Sequence, residues 1–212
     1  MSLKVCETFA SIQGESSHAG WPCAFVRLVG CNLRCAWCDT AYSYEGGVER
    51  GLDDLVAEVL GFGLPLVEIT GGEPLLQPET PELARLLLAA GLRVLVETNG
   101  SLDISVLPQG ATAIVDMKGP SSGEAARMDL GNLERLRPGD EVKFVIGGRE
   151  DYAHMLGLLP RLDPKRVIIN ASPLYSTLPP ATLVEWMVAD RLPVRLNLQQ
   201  HKVIWPPERR GV

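Results

Sequence analysis

Three cysteines within eight residues, Cys31, Cys35 and Cys38 in "GCNLRCAWCDT", form the densest group of reactive side chains in the chain. Thiolates clustered on one loop at C-x3-C-x2-C spacing point to metal binding. A structural zinc site takes four ligands, commonly from two paired knuckles. A [4Fe–4S] cluster normally takes four cysteines. There is no second C-x-x-C here; His18, Cys23 or Asp39 would have to complete a zinc site. Three thiolates on a four-iron cluster leave one iron open to a small molecule, into which it can pass an electron directly. Three unligated core cysteines are the third reading. All five cysteines fall in the first 38 residues, which leaves no ligands for a second cluster. An odd count at one end of a 212-residue chain is also no disulfide framework. Cys6 and Cys23 are expected as small buried hydrophobes.

The second group is "GGEP", Gly71–Pro74. Adjacent glycines let a backbone approach a ligand closely, and Glu73 can accept from an ammonium group. Alone, the motif also reads as a turn.

The elements that must position these groups are legible from periodicity. Strand-like runs cover Ala24–Gly30, Pro65–Thr70, Leu92–Gly100, Thr112–Gly119, Asp140–Gly147, Lys165–Ser172 and Pro193–Ile204. Helical patterns cover Leu52–Phe62, Pro81–Gly91, Arg149–Leu159 and Pro180–Asp190. About seven strands alternating with helices imply an α/β fold with a mostly parallel sheet and right-handed crossovers. A complete eight-stranded barrel usually needs about 250 residues, so an incomplete, TIM-like barrel is expected, as one domain over residues 1–212. Ligands in such folds bind at the C-terminal ends of the strands. The cysteine loop, "TGGEP", "ETNG", "DMKGPSSG" and "QQHK" all fall there.

Composition narrows the classes further. A net charge of −6 disfavours a nucleic-acid backbone as partner. No apolar run reaches the roughly 18 residues a membrane span needs. "MSLKVCETFA" lacks the basic and apolar regions of a signal peptide, so a cytoplasmic protein is expected.

Together, C-x3-C-x2-C with Trp37 before the last cysteine, and "GGEP" after the next strand, resemble the radical S-adenosylmethionine superfamily. The resemblance narrows through Phe9, "QGE" (Gln13–Glu15), Gly20 and Pro22, Phe25 and Arg27, "CDT" (Cys38–Thr40), and "QQHK" near the C-terminus. These are similar to the 7-carboxy-7-deazaguanine synthase family, over nearly the whole chain. Ser16 stands where the family often has glycine. The resemblance implies a lyase that converts 6-carboxy-5,6,7,8-tetrahydropterin to 7-carboxy-7-deazaguanine with loss of ammonia, on the route to queuosine. It implies a [4Fe–4S] cluster, S-adenosylmethionine as source of a 5′-deoxyadenosyl radical, and Mg2+.

By position, the resemblance assigns the cluster to Cys31, Cys35 and Cys38, and Mg2+ to Thr40. It places the pterin against Ile12, Gln13, Gly14, Glu15, Arg27 and Thr70. S-adenosylmethionine would meet Trp37, Cys38, Asp39, Gly72, Glu73, Asp116, Met117 and Lys118. Gln199, His201 and Lys202 would close the site. A planar guanidinium at Arg27 suits the substrate carboxylate. Plainer alternatives stand beside these: a strand-end salt bridge for Arg27, a loop cap for Glu15, a helix cap for Thr40, a surface lysine for Lys202. A homodimer and a flavodoxin- or ferredoxin-like electron donor are also implied. Two other functions share part of the pattern. A radical activase acting on a protein would need the cysteines and "GGEP" but not Arg27 or "QGE". A zinc-binding module would need neither.

Overall fold

A computed structural model describes all residues, 1–212. Nine strands form one sheet. Seven run parallel: β2 (Pro22–Leu28), β4 (Leu66–Gly71), β5 (Arg93–Thr98), β6 (Thr112–Asp116), β7 (Glu141–Ile146), β8 (Ile168–Pro173) and β9 (Arg195–Leu196). β1 (Ser2–Ile12) pairs antiparallel with β2, and β3 (Val48–Gly51) pairs antiparallel with β1 at the edge. The order β3-β1-β2-β4-β5-β6-β7-β8-β9 does not close on itself. The incomplete barrel expected from the sequence is therefore the fold.

The helices are α1 (Leu52–Gly61), α2 (Thr80–Ala89), α3 (Asn132–Arg135), α4 (Arg149–Leu158), α5 (Pro180–Ala189) and α6 (His201–Ile204). Acidic residues in the first turns of α1, α2 and α4 favour those starts through the helix dipole.

Strand parity sorts the side chains. Ala24, Val26 and Leu28 of β2, Val67 and Ile69 of β4, and Val94 and Val96 of β5 point outward into the core shared with the helices. Cys23 and Phe25, Leu66, Leu95 and Ile114 point inward and pack with Phe9 as a smaller apolar cluster. Because successive side chains alternate faces, the next inward positions along the strands are Arg27, Glu68 and Thr70, Glu97, and Asp116. They carry charge or a hydroxyl, and with them the barrel interior turns polar toward its C-terminal end.

Three segments depart from the sequence expectation. β1 and β3 add an N-terminal ribbon that the reading omitted. The expected strand Pro193–Ile204 shrinks to Arg195–Leu196 and then turns into α6. Asn197 still donates to the Ala171 carbonyl, but Pro173 has no N–H to continue the ladder. Between β6 and β7, where the sequence pattern gives no helix, the chain forms two short 3-10 turns, the first in "GPSSG", and the four-residue α3.

The open side of the barrel is spanned by residues 13–20. Ser17 donates from N–H and hydroxyl to Glu141 of β7, Arg195 of β9 donates to the Ser16 carbonyl at 2.7 Å, and Gln200 N–H donates to the Gly14 carbonyl at 2.8 Å. The loop thus reaches from the β1–β2 edge to the β9 edge.

Candidate active site

The C-terminal ends of the parallel strands surround a cavity of about 800 Å³. Cys31, Cys35 and Cys38 face it from the loop after β2, all half-buried and all free thiols. Gly30, at φ +98°, turns the chain out of β2, a conformation glycine adopts without penalty. The "GGEP" turn packs directly behind. Glu73 N–H donates to the Gly30 carbonyl at 2.7 Å, and a Cβ on Gly72 would lie 2.7 Å from Cys31 Cβ. The cysteine loop is thus cradled where only glycine fits.

This donor set suits the iron–sulfur group. Three sulfurs share one loop over an open space, and two donors already address one of them. Leu33 N–H lies 3.4 Å and Asn99 Nδ2 3.7 Å from Cys31 Sγ. Such bonds stabilise a thiolate and orient it. Burial pushes the Cys35 thiol up to about 11, so cluster binding must displace its proton.

Glu73 departs from its expected place. It is fully buried, does not line the cavity, and accepts from Leu75 N–H, the Thr98 hydroxyl and Asn99 N–H at 2.9, 2.8 and 2.6 Å. It ties β4 to β5 and fixes Asn99 beneath Cys31; its carboxylate is not free for a cofactor. Met117 has only its backbone on the side of the cavity. Parity turns it outward into the helix core, fully buried, while Asp116 and Lys118 line the cavity.

The remaining expected cofactor residues gather on one wall. Lys118 Nζ lies 2.7 Å from Asp116 Oδ2 and 5.0 Å from the Trp37 ring centroid, and Trp37 Nε1 donates to Ser121 Oγ at 3.0 Å. Asp116 Oδ1 is buried with no partner, which leaves an acceptor for a ligand.

The same cavity is lined by Ile12, Gln13, Gly14, Glu15, Arg27 and Thr70. Arg27 Nε donates to Glu7 Oε1 at 2.8 Å, and Tyr42 OH donates to the same oxygen at 2.8 Å. The guanidinium sits between the Phe9 and Tyr42 rings, 5.9 Å from each centroid. The strand-end salt bridge and the carboxylate fork are therefore compatible: Glu7 holds Nε, and the protein makes no hydrogen bond to the terminal nitrogens. Gly14 has no room for a side chain, because a Cβ would strike the His201 ring. Gln199 donates to Glu15 Oε1 at 2.7 Å.

Thr40 does not cap the following turn; its hydroxyl donates to Asp39 Oδ1 at 2.8 Å. Lys202 is no surface lysine. Its side chain is 9% exposed and its Nζ lies 2.5 Å from Asp39 Oδ2. Burial would raise the Asp39 carboxyl, but Lys202 overrides it and holds the group far below the usual carboxylate range.

The floor carries residues the sequence reading missed. Glu68, Glu97 and Lys143 line the cavity from β4, β5 and β7. Lys143 Nζ contacts Glu15 Oε2 at 2.8 Å, Glu97 Oε1, and Asp116 Oδ2 at 3.6 Å. Gln13 Nε2 donates to Glu68 Oε2. Their signal in the sequence is a charge inside an apolar run, "LVEIT", "VLVET" and "VKFV", which a parallel strand tolerates only on a polar interior. The C-terminal segment was missed as well. Residues 207–212 line the mouth, and the Arg210 guanidinium stacks 4.0 Å from the Tyr42 ring centroid.

Burial and the neighbouring Glu97 charge push the Glu68 carboxyl well above its usual value of 4.5. A group raised on folding contributes stability that is full below its unfolded pKa and lost as pH rises through the folded one. Glu68→Gln is therefore expected to gain Tm relative to the parent as pH rises from about 5 to about 9. A Tm difference that stays constant across that range refutes a protonated Glu68.

Comparison with known proteins adds family evidence to this geometry. The sequence model of the radical SAM superfamily matches residues 25–116. A 7-carboxy-7-deazaguanine synthase from Koribacter versatilis is 43% identical, over 99% of this chain and 100% of the relative. One from Chlorobaculum tepidum is 44% identical, over 99% and 97%. The crystal structure of QueE from Escherichia coli superposes with a TM-score of 0.81 at 27% identity, covering 95% of each chain.

Proposed function

The chain belongs to the 7-carboxy-7-deazaguanine synthase family of radical S-adenosylmethionine enzymes, and from that premise we propose how its residues divide the reaction. The enzyme is a carbon–nitrogen lyase of 7-deazapurine biosynthesis. It takes 6-carboxy-5,6,7,8-tetrahydropterin to 7-carboxy-7-deazaguanine and ammonia, with a [4Fe–4S] cluster and S-adenosylmethionine as cofactors. One cavity faced by both the three cysteines and the open fork of Arg27 carries this division of labour.

Cys31, Cys35 and Cys38 hold the cluster. When bound, cluster and S-adenosylmethionine supply the carbon radical that takes a hydrogen from the substrate. Everything else is positioning and shelter. Gly72 and the Trp37–Asp39 backbone make room for the methionine end of the cofactor. Asp116 offers Oδ1, and Lys118 screens the acid. Glu73 acts from behind, through Asn99 and the "GGEP" turn.

The pterin lies on the other side. Arg27 binds its carboxylate with the terminal nitrogens, with Glu7 and Tyr42 fixing the plane of the fork. Ile12, Gln13, Gly14 and Thr70 line the ring. Glu15 is occupied by Lys143 and Gln199, so it supports the wall. Glu97, whose second oxygen the protein leaves free, presents the acceptor for the ring's amino edge. Thr40 and Asp39 lie together where a magnesium ion would join protein to substrate oxygens. Lys202 neutralises Asp39 without that ion.

As a single radical SAM domain over residues 1–212, the protein works in the cytoplasm as a homodimer. It draws electrons from a flavodoxin- or ferredoxin-like donor. No helix is long and apolar enough to cross a membrane.

The deciding experiment is a product assay. Anaerobically reconstituted enzyme with reductant, S-adenosylmethionine, Mg2+ and the carboxytetrahydropterin is expected to form 7-carboxy-7-deazaguanine and ammonia in equal amounts. Cofactor cleavage without that product would point to an activase. One zinc per chain in place of iron and sulfide would point to a zinc-binding module.

A further inference from the structure

Lys143 pairs with three carboxylates, and nothing in the reaction as described uses it directly. Its side chain is 7% exposed, and its three neighbouring carboxylates come from three separate elements. Glu15 belongs to the loop that closes the open side of the barrel, Glu97 to β5 and Asp116 to β6. An ammonium has three donors on a compact head, which matches three carboxylates converging from different directions.

Each arm continues to one half of the site. On one side, Glu15 is two residues from Gln13, and its N–H donates to Gln13 Oε1 at 3.0 Å. Gln13 in turn reaches Glu68. Glu141, two residues before Lys143 and on the same face of β7, grips the same loop through Ser17. On the other side, Asp116 Oδ2 is shared between Lys143 and Lys118, and Lys118 lies over Trp37 in the cysteine loop. A continuous path, Glu15–Lys143–Asp116–Lys118–Trp37, therefore runs from the pterin wall to the cofactor wall.

We propose that Lys143 is a positioning residue that couples the two halves of the active site, so that pterin and S-adenosylmethionine bind cooperatively. The inference rests on the assignment of residues 12–15 to the pterin and of Trp37, Asp116 and Lys118 to the cofactor. The physical reason is shared ordering. A pterin that fixes the Glu15 loop and Glu97 also fixes Lys143, and this leaves Asp116 one arrangement between two ammonium groups. The cofactor then meets a wall already ordered, so less conformational freedom is lost when it binds. Reciprocity requires the cofactor to tighten pterin binding by the same factor. Without the ammonium, Glu15, Glu97 and Asp116 face one another as like charges around a hole, and each relaxes toward its own side.

The test measures coupling, with iron content and Tm as controls for gross structure. In cluster-loaded, unreduced enzyme, the Kd of S-adenosylmethionine is measured with and without 6-carboxypterin. This oxidised analogue has no hydrogen at C6 to give up. In the parent enzyme the analogue is expected to tighten cofactor binding about fivefold or more. In Lys143→Met the factor is expected to fall to about one with four irons per chain retained. A Lys143→Met enzyme that keeps the parent's factor overturns the inference, as does a parent that binds both ligands independently. If Lys143→Met does not fold, Asp116→Asn cuts only the second arm. Loss of the carboxylate is expected to weaken cofactor binding by itself, so the reading is the ratio within the variant: the Kd of 6-carboxypterin with and without saturating S-adenosylmethionine should be equal there, and the parent's full factor overturns the inference equally. A parent that binds S-adenosylmethionine but no 6-carboxypterin overturns the pterin assignment itself, and the inference with it. That result is distinct from coupling that survives the substitutions.

Discussion

Cys35→Ala is expected to abolish turnover, by about six orders of magnitude or more, because the reaction has no other source of a radical. Cys35 is the middle of the three proposed ligands on one loop, held against the core by apolar neighbours. Two thiolates, Cys31 and Cys38, would remain for a cluster that already lacks a fourth protein ligand, and no other cysteine faces the cavity. Anaerobic reconstitution should give little iron and sulfide and lose most of the brown [4Fe–4S] absorption. The fold should survive, since the removed thiol is only half-buried and makes no hydrogen bond that organises a neighbour. Circular dichroism and Tm near the parent's, with iron content collapsed, are the expected pair. An unchanged iron content in Cys35→Ala refutes the ligand assignment.

Arg27→Ala should spare the cluster and damage the chemistry. A buried charge pair that loses one partner costs about 3–5 kcal/mol, so kcat/KM for the pterin is expected to fall about 10²–10⁴-fold. The loss should appear mainly in pterin affinity, with binding of S-adenosylmethionine little changed. Arg27→Lys separates charge from shape. Lysine restores the cation but cannot present two parallel donors, so it should recover only part of the loss. Glu7 would still be held by Tyr42, which keeps the neighbourhood intact. Near-parent kinetics in Arg27→Ala would refute the carboxylate role.

How much of this was legible in the sequence depended on what kind of signal each residue leaves. The cysteine loop and "GGEP" announce themselves, because several unusual residues at fixed spacing have few structural uses. The parallel core was legible because outward residues such as Val67, Ile69, Val94 and Val96 are apolar in pattern. Glu68, Glu97 and Lys143 were passed over for the same reason: apolar neighbours made their strands look wholly buried, and one charge per strand was absorbed as noise. Parity would have found them, since Glu68, Glu97, Asp116 and Lys143 all share the inward face. Parity would also have separated Met117 from Asp116 and Lys118. Glu73 was misplaced for another cause. A motif fixes where a residue sits in the chain, but which way a carboxylate turns depends on its donors, here Thr98 and Asn99 from a strand 25 residues away. The end of β9 and the C-terminal segment leave little periodicity, because they are held by contacts to distant loops.

The loop across the open side of the sheet gives the barrel a buckle in place of a zip. A closed barrel is fastened by a backbone ladder along its full length, and parting it means breaking a row of bonds between strands. Here the loop after β1 is fastened to β7, to β9 and to the segment beyond it through a few named contacts: Ser17 on Glu141, Ser16 on Arg195, Gly14 on Gln200 and Glu15 on Lys143. Those can be released one at a time while the sheet stays whole. Parting that side would therefore leave the backbone ladder of the sheet untouched. The clasp includes Gln13, Gly14 and Glu15, which also line the cavity.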